Sequence, residues 1–150
     1  MGDLRELYQT TILDHNKQPR NFRVPERANR RAAGHNPLCG DRVTVHLELE
    51  DDVVKDVGFQ GAGCAISTAS ASLMTQAVKG RSLAEVGKLF DSFHELVTSD
   101  PQRAVDAGRV GKLAVLAGVR EYPVRVKCAT LAWHTLRAAL GGSHEPVKTE

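Results

Sequence analysis

The sequence predicts an α+β fold. Three observations predict it. Apolar and polar residues alternate once, over positions 42–50. Apolar residues recur at helical spacing before that run and in several segments after it. Proline and glycine punctuate the boundaries between these segments. Strands in one block, with helices gathered after them, are the pattern of an α+β chain.

The elements follow in order. Asp3 and Glu6 form a reciprocal capping pair, and Leu4, Leu7, Tyr8 and Ile12 repeat behind them. This predicts a helix over residues 4–14 with one buried face, stopped by Pro19. Residues 17–37 contain Pro19, Pro25 and Pro37 and show no periodicity, so they read as a long loop, a feature that usually has a function. Val43, Val45, Leu47 and Leu49 then alternate with Arg42, Thr44, His46, Glu48 and Glu50, which makes a strand with one buried and one wet face. Asp51-Asp52 turns the chain into a second strand, Val53 to Gln60, with Val57 and Phe59 inward. Gly61 and Gly63 permit a reversal into a short third strand that ends at Cys64.

Ser67 reads as the cap of a helix that runs to about Lys79 and stops at Gly80. Ser82 and Glu85 form a capping box for Leu83, Val86, Phe90, Phe93 and Val97. Asp100-Pro101 restarts a short helix. Gly108, Gly111 and Gly118 divide residues 106–119 into short pieces. Pro123 opens a last helix to about Leu140, with Leu131, Ala132, Leu136, Ala139 and Leu140 inward and Gly141-Gly142 beyond its end. Residues 143–150 read as a frayed tail.

The chain has 150 residues, 41% of them hydrophobic, enough for a single domain over 1–150 with its own core. No apolar run is long enough to cross a bilayer, so no membrane is expected as partner. The segment Met1-Gly2-Asp3-Leu4-Arg5-Glu6 lacks a signal-peptide core, and Glu6 stands where a myristoylation motif wants Ser or Thr. The expectation is a cytoplasmic protein whose cysteines remain thiols. A net charge of +2 and 5% aromatic residues argue against a nucleic-acid partner. The cations are uneven, however: Lys17, Arg20, Arg23, Arg27, Arg30 and Arg31 share one segment with the single acid Glu26. That segment supports two readings, a solvated loop or a docking surface for an acidic partner centred on Arg20, Arg23 and Arg27.

The three cysteines stand in settings that suit metal ligands. Cys39 lies in Gly34-His35-Asn36-Pro37-Leu38-Cys39-Gly40-Asp41, Cys64 ends Gly61-Ala62-Gly63-Cys64, and Cys128 starts an apolar helix pattern. Cys39 and Asp41 are two apart, so in an extended segment both side chains reach the same side. Cys64 and Cys128 lie near helix N-termini, whose amides favour thiolates. Three thiolates and the Asp41 carboxylate complete a tetrahedral zinc site. Taken singly, each cysteine is more often a small buried hydrophobe, and that reading is strongest for Cys128. His35 is a reserve ligand, while His46 faces the wet side of its strand and His15, His94, His134 and His144 read as surface or helix residues. Arg125 and Lys127 flank Cys128 and are candidates for offsetting the negative charge of the site.

The residues resemble a known family. Leu7-Tyr8, Ile12-Leu13-Asp14-His15, Pro19-Arg20-Asn21, Asn36-Pro37-Leu38-Cys39-Gly40-Asp41, Gly61-Ala62-Gly63-Cys64-Ala65-Ile66-Ser67 and Arg125-Val126-Lys127-Cys128-Ala129-Thr130-Leu131-Ala132-Trp133 are similar to the SufU branch of the IscU/NifU-N-terminal-like iron–sulfur assembly proteins. Scaffold-type members of the IscU group carry a histidine where this chain has Lys127. The distance from Cys64 to Cys128 is also longer here, which implies an inserted segment within about residues 90–120. The resemblance implies a three-stranded antiparallel sheet with helices packed on one side. It implies one Zn2+ per chain, with Cys39, Asp41, Cys64 and Cys128 as ligands and Cys39 as sulfur acceptor. The implied partners are a SufS-type cysteine desulfurase, which donates persulfide sulfur, and a downstream SufBCD-type scaffold. The alternative it leaves is an iron–sulfur cluster scaffold, for which three thiolates are also suited; a third is a structural zinc domain with an adaptor role.

Overall fold

The computed structural model describes residues 4–105, 108–142 and 147–148. Its elements are α1 (Leu4–Lys17), β1 (Arg30–Asn36), β2 (Asp41–Glu50), β3 (Val53–Ala62), α2 (Ala65–Val78), α3 (Leu83–Thr98), a 3₁₀ helix (Gly111–Glu121), α4 (Pro123–Leu140) and β4 (Val147–Lys148). They form an α+β fold with a sheet of strand order β3-β2-β1-β4. The first three strands pair antiparallel, and β4 joins β1 in parallel through Gly34–Val147 and His35–Lys148.

The sheet departs from expectation in three places. It has four strands among the described residues, not three. No reversal occurs at Gly61: β3 continues through Ala62, and the third antiparallel strand comes from β1, inside the segment read as a loop. The inward positions of β1 are Ala32, Gly34 and Asn36, too small or polar to signal a strand. Their size has a packing reason. A Cβ added at Gly34 would meet Thr135 Oγ1 and Leu131, so β1 passes directly under α4. The third departure is a bulge: Glu48 pairs Asp56 and Leu49 pairs Val54, which leaves Lys55 unpaired. Val54 thereby enters the core at 0% exposure, while Leu49 is only half-buried.

The hairpin turn itself is as expected, with Asp51 and Asp52 both at positive φ. Val43, Val45, Leu47, Val57 and Phe59 form the inner face of the sheet, and α2 and α4 pack on it. The outer face is partly covered as well. Residues 21–25 cross it at Gly58, and His46, expected wet, is buried with Nε2 3.3 Å from Gln60 Oε1.

Helix α1 packs on α2 and the 3₁₀ helix. Ile12 is buried and Tyr8 half-buried, but Leu7 is 54% exposed, so the buried face is narrower than its spacing implied. His15 is also buried, with Nδ1 2.7 Å from Ser72 Oγ. Small residues let α2 approach α4 closely, and Ser70 Oγ donates to Ala129 O across that contact at 2.5 Å. The Ser82–Glu85 capping box opens α3, whose Phe93 ring stacks on Trp133 of α4 at 4.6 Å. Asp100-Pro101 makes a turn and not a helix, and residues 111–121 form one continuous 3₁₀ helix, not separate pieces. Leu131, Ala132, Leu136 and Ala139 of α4 face inward, while Leu140 is half-buried.

The Asp3 cap, the packing of Leu4, most of the frayed tail and His144 lie outside the described residues. No helix among the described residues is long and apolar enough to cross a membrane.

Burial holds three histidines below the ordinary imidazole value of 6.5: His15, His46 and His134. Each resists protonation when folded and accepts it freely when unfolded. Their contribution is intact above pH 6.5 and is lost as pH falls through that value toward the folded ones. The melting temperature should therefore drop when pH is lowered from about 8 to about 5. A melting temperature that is flat or rises across that range in calorimetry would contradict this account.

Candidate metal centre

Three separate joints of the chain converge at one end of the sheet. Residues 37–40 form the turn between β1 and β2. Its shape is set by Asn36 O, which accepts from Cys39 N at 3.3 Å and Gly40 N at 2.9 Å, and by Gly40 at a φ of 72. Cys39 is presented on this turn, and Asp41 opens β2 with its side chain fully buried. Cys64 stands at the joint of β3 and α2, where its Sγ accepts the capping bond from Ser67 N at 3.4 Å. The cap is thus Cys64, and Ser67, read as the cap from sequence, is a buried residue inside α2. Cys128 lies in the second turn of α4 at 0% exposure.

The ligand atoms of Cys39, Asp41 and Cys128 all lie within 4.8 Å of one another. The Cys128 and Cys39 sulfurs are 3.3 Å apart. Cys64 stands beside this trio. Its Sγ is 3.7 Å from Asp41 Oδ2, and its backbone N donates to Asp41 Oδ1 at 2.8 Å. Cys39 and Asp41 meet because the turn folds back, not because the segment is extended.

The Cys64 and Cys128 thiols are shifted in opposite directions. A hydrogen bond from Cys128 holds the Cys64 thiol down to about 6, helped by the amides of Ser67 and Ile66 and opposed by burial and the Asp41 charge. Cys128 is pushed up, first by that same bond with Cys64, then by burial and by Cys39 and Asp41. The bond with Cys64 and burial thus oppose the field of α4's N-terminus at Cys128. The Arg125 guanidinium is held above its usual range, first by Cys128 and then by Cys64. Burial and the neighbouring Tyr122 likewise push up the Tyr8 phenol, which feels both thiols.

Asp41 provides the fit test for a metal. It is a carboxylate at 0% exposure, and among the described residues no Lys or Arg forms an ion pair with it. A buried charge without a countercharge is costly. Three sulfurs and one oxygen around that charge form a donor set suited to a borderline-soft divalent cation such as zinc.

The other sequence candidates are placed as follows. Arg125 lies three residues before Cys128 on α4, a spacing that shares a helix face, while Lys127 is half-buried one residue before it. Arg20 pairs with Asp14 at 2.7 Å and Arg23 with Asp56 at 2.8 Å, so two of the cations considered for docking are paired within the chain; Arg27 is exposed. His35, the reserve ligand, is not in the trio. It alternates with the inward Asn36 and so faces the other side of the sheet.

Sequence reasoning missed two contributors. Asn36, 0% exposed, donates from Nδ2 toward Cys128 Sγ at 3.8 Å and accepts Leu38 N at Oδ1 at 3.1 Å. An Asn immediately before Pro37-Leu38-Cys39 carried only a turn signal. Gly63 leaves room for Asp41, because a Cβ there would meet Asp41 Oδ1. Its glycine was legible, but it read as a reversal and not as a close approach.

The family described as NifU-like N terminal domain matches residues 7–141. The chain is 39% identical over 135 residues to the zinc-dependent sulfurtransferase SufU of Bacillus subtilis (strain 168), covering 90% of each chain. It is 37% identical over 140 residues to the iron-sulfur cluster assembly scaffold protein IscU of Streptococcus pyogenes serotype M1, covering 93% of this chain and 86% of that one. A crystal structure from Fervidobacterium islandicum AW-1, described as a putative iron-sulfur cluster assembly scaffold protein for the SUF system, superposes with a TM-score of 0.79 at 32% identity, over 87% of this chain and 93% of that one. With sequence and fold in agreement, the chain belongs to the NifU-like N-terminal domain family, among the proteins that resemble SufU and IscU.

Proposed function

We propose that this chain is a zinc-dependent sulfur-transfer protein of iron–sulfur cluster assembly, with Cys39 as acceptor. One observation carries the choice of residue. Cys39 is half-exposed on a turn next to Leu38, which is 65% exposed, while Cys128 is fully buried and the Cys64 sulfur caps α2. An incoming persulfide reaches Cys39 without disturbing a helix. The reading is supported by the likeness to SufU of Bacillus subtilis, named a zinc-dependent sulfurtransferase.

Cys39, Asp41, Cys64 and Cys128 would hold the metal. Bound zinc would keep the thiols deprotonated and contributes no redox chemistry of its own. The donor is a cysteine desulfurase, SufS-type by resemblance, whose own cysteine carries the persulfide. The Cys39 thiolate attacks the outer sulfur of that persulfide. A new S–S bond forms at Cys39 as the donor's S–S bond breaks, and the donor cysteine leaves as a thiolate. No oxidant or reductant is consumed. The sulfur then passes to a cluster-building scaffold of SufBCD type. Arg125 lies where a cation balances the negative charge of the centre, and Arg20, Arg23 and Arg27 are the candidates for holding the acidic face of the donor.

A second reading keeps the same centre as a site on which a cluster is assembled. It is supported by the likeness to the Streptococcus pyogenes scaffold protein. Lys127 counts against it, because its ammonium has no lone pair for iron.

Cys39→Ser should abolish persulfide formation on the chain when desulfurase and cysteine are supplied, while the fold remains intact. The measurement is mass spectrometry of the alkylated protein after mixing. Persulfide found on Cys64 or Cys128 in the parent would overturn the assignment. Arg125→Ala should slow sulfur acceptance about fivefold, as loss of a largely exposed cation allows, and more than Lys127→Ala does, with metal retained in both. Equal rates for the two variants, near that of the parent, would leave the ligands as the working groups.

A further inference from the structure

Asn36 connects two of the three joints that build the centre, through its backbone oxygen and both ends of its side-chain amide. Its backbone oxygen receives Cys39 N and Gly40 N. Its Oδ1 receives Leu38 N at 3.1 Å, which fixes the start of the turn that carries Cys39. Its Nδ2 points across to α4 and donates toward Cys128 Sγ at 3.8 Å. The side chain is at 0% exposure, so no water competes for these groups. A buried amide has fixed geometry, and here one planar group joins the acceptor turn to the deepest sulfur.

We propose that Asn36 is a positioning residue of the metal centre: its amide sets the separation of the Cys39 turn from Cys128 and donates an N–H···S bond to the Cys128 thiolate. This rests on the reading of the centre as a thiolate metal site. Two physical effects follow. The bond lowers the electron density on the Cys128 sulfur and offsets part of the charge that the crowded acidic groups create there. It also holds the two sulfurs at a separation one cation can span, so less ordering is needed when the metal enters. Asparagine suits the position because it is both donor and acceptor, and neutral. An aspartate of the same shape would keep the acceptor for Leu38 N, lose the donor to sulfur, and add negative charge where it is already in excess.

The test uses Asn36→Asp in the full chain. Zinc affinity is measured by competition with a chromophoric chelator, and the centre is also loaded with cobalt. The affinity should fall about 10- to 100-fold, as loss of a bond that orients a metal ligand typically does. The thiolate-to-cobalt charge-transfer bands should move to longer wavelength, because a sulfur that has lost a donor and gained a neighbouring anion gives up its electrons more easily. Unmoved bands would overturn the proposal, as would unchanged affinity. If the variant does not fold, the parent decides. In the cadmium-loaded parent, a scalar coupling between the metal nucleus and an Asn36 side-chain amide proton should be resolved by NMR. Its absence would overturn the proposal. A parent that binds neither zinc nor cobalt would instead overturn the reading of the metal centre, and this inference with it.

Discussion

Asp41 is a carboxylate buried at 0% exposure, and the end of the sheet is arranged around it. Removing such a charge from water is costly unless hydrogen bonds and an opposite charge replace the water. One bond comes from Cys64 N at 2.8 Å. Gly63 has no side chain, which lets the β3–α2 joint come close enough to make it. The turn at residues 37–40 brings Cys39 and α4 brings Cys128 to within 4.8 Å of the carboxylate. No lysine or arginine among the described residues completes the balance with an ion pair. The countercharge the arrangement calls for is a metal ion, and the sulfur atoms around Asp41 select a thiophilic one.

The same constraint sets the surroundings of the three cysteines apart. Cys128 is buried beside other acidic groups and is pushed up, while Cys64 receives its hydrogen bond and is held down to about 6. Both are tied to helices, one as a cap and one inside a helical turn. Cys39 alone stands on a turn that no helix fixes, with Asn36 governing its position. In the proposed function two sulfurs stay in place while the third meets a partner. That asymmetry supports sulfur transfer over a purely structural role, in which a closed set of four equivalent ligands is the common arrangement.

Much of the site was legible because its residue types are chemically scarce. Cys39 and Cys64, with Gly, Pro and Asp at their flanks, stood out before any fold was known, and Asp41 followed from its distance to Cys39. The hairpin and α3 were legible because their apolar spacing is strong and their turn and cap residues agree with it. β1 was not, since close packing under α4 requires Ala32, Gly34 and Asn36 on its inner face, and small residues carry no strand signal. Val54 was hidden by the unpaired Lys55, which shifts the alternation by one residue. Cys64 as a cap was displaced in the reading by Ser67, the better capping residue type, because a thiol accepting an amide is a tertiary outcome of where the metal centre lies. The docking segment shows the limit of counting charges. Arg20 and Arg23 are cations in the sequence, but in the fold they face Asp14 and Asp56.

In the proposed function the chain holds zinc between three thiolates and Asp41 and takes up sulfur on Cys39. Metal analysis of the parent and of Asp41→Ala, both purified without oxygen, tests this most directly. The account predicts a colourless parent with about one zinc per chain and a variant that loses the metal to a chelator far more readily. A brown parent containing iron and acid-labile sulfide, or a variant that holds zinc as tightly as the parent, would contradict it.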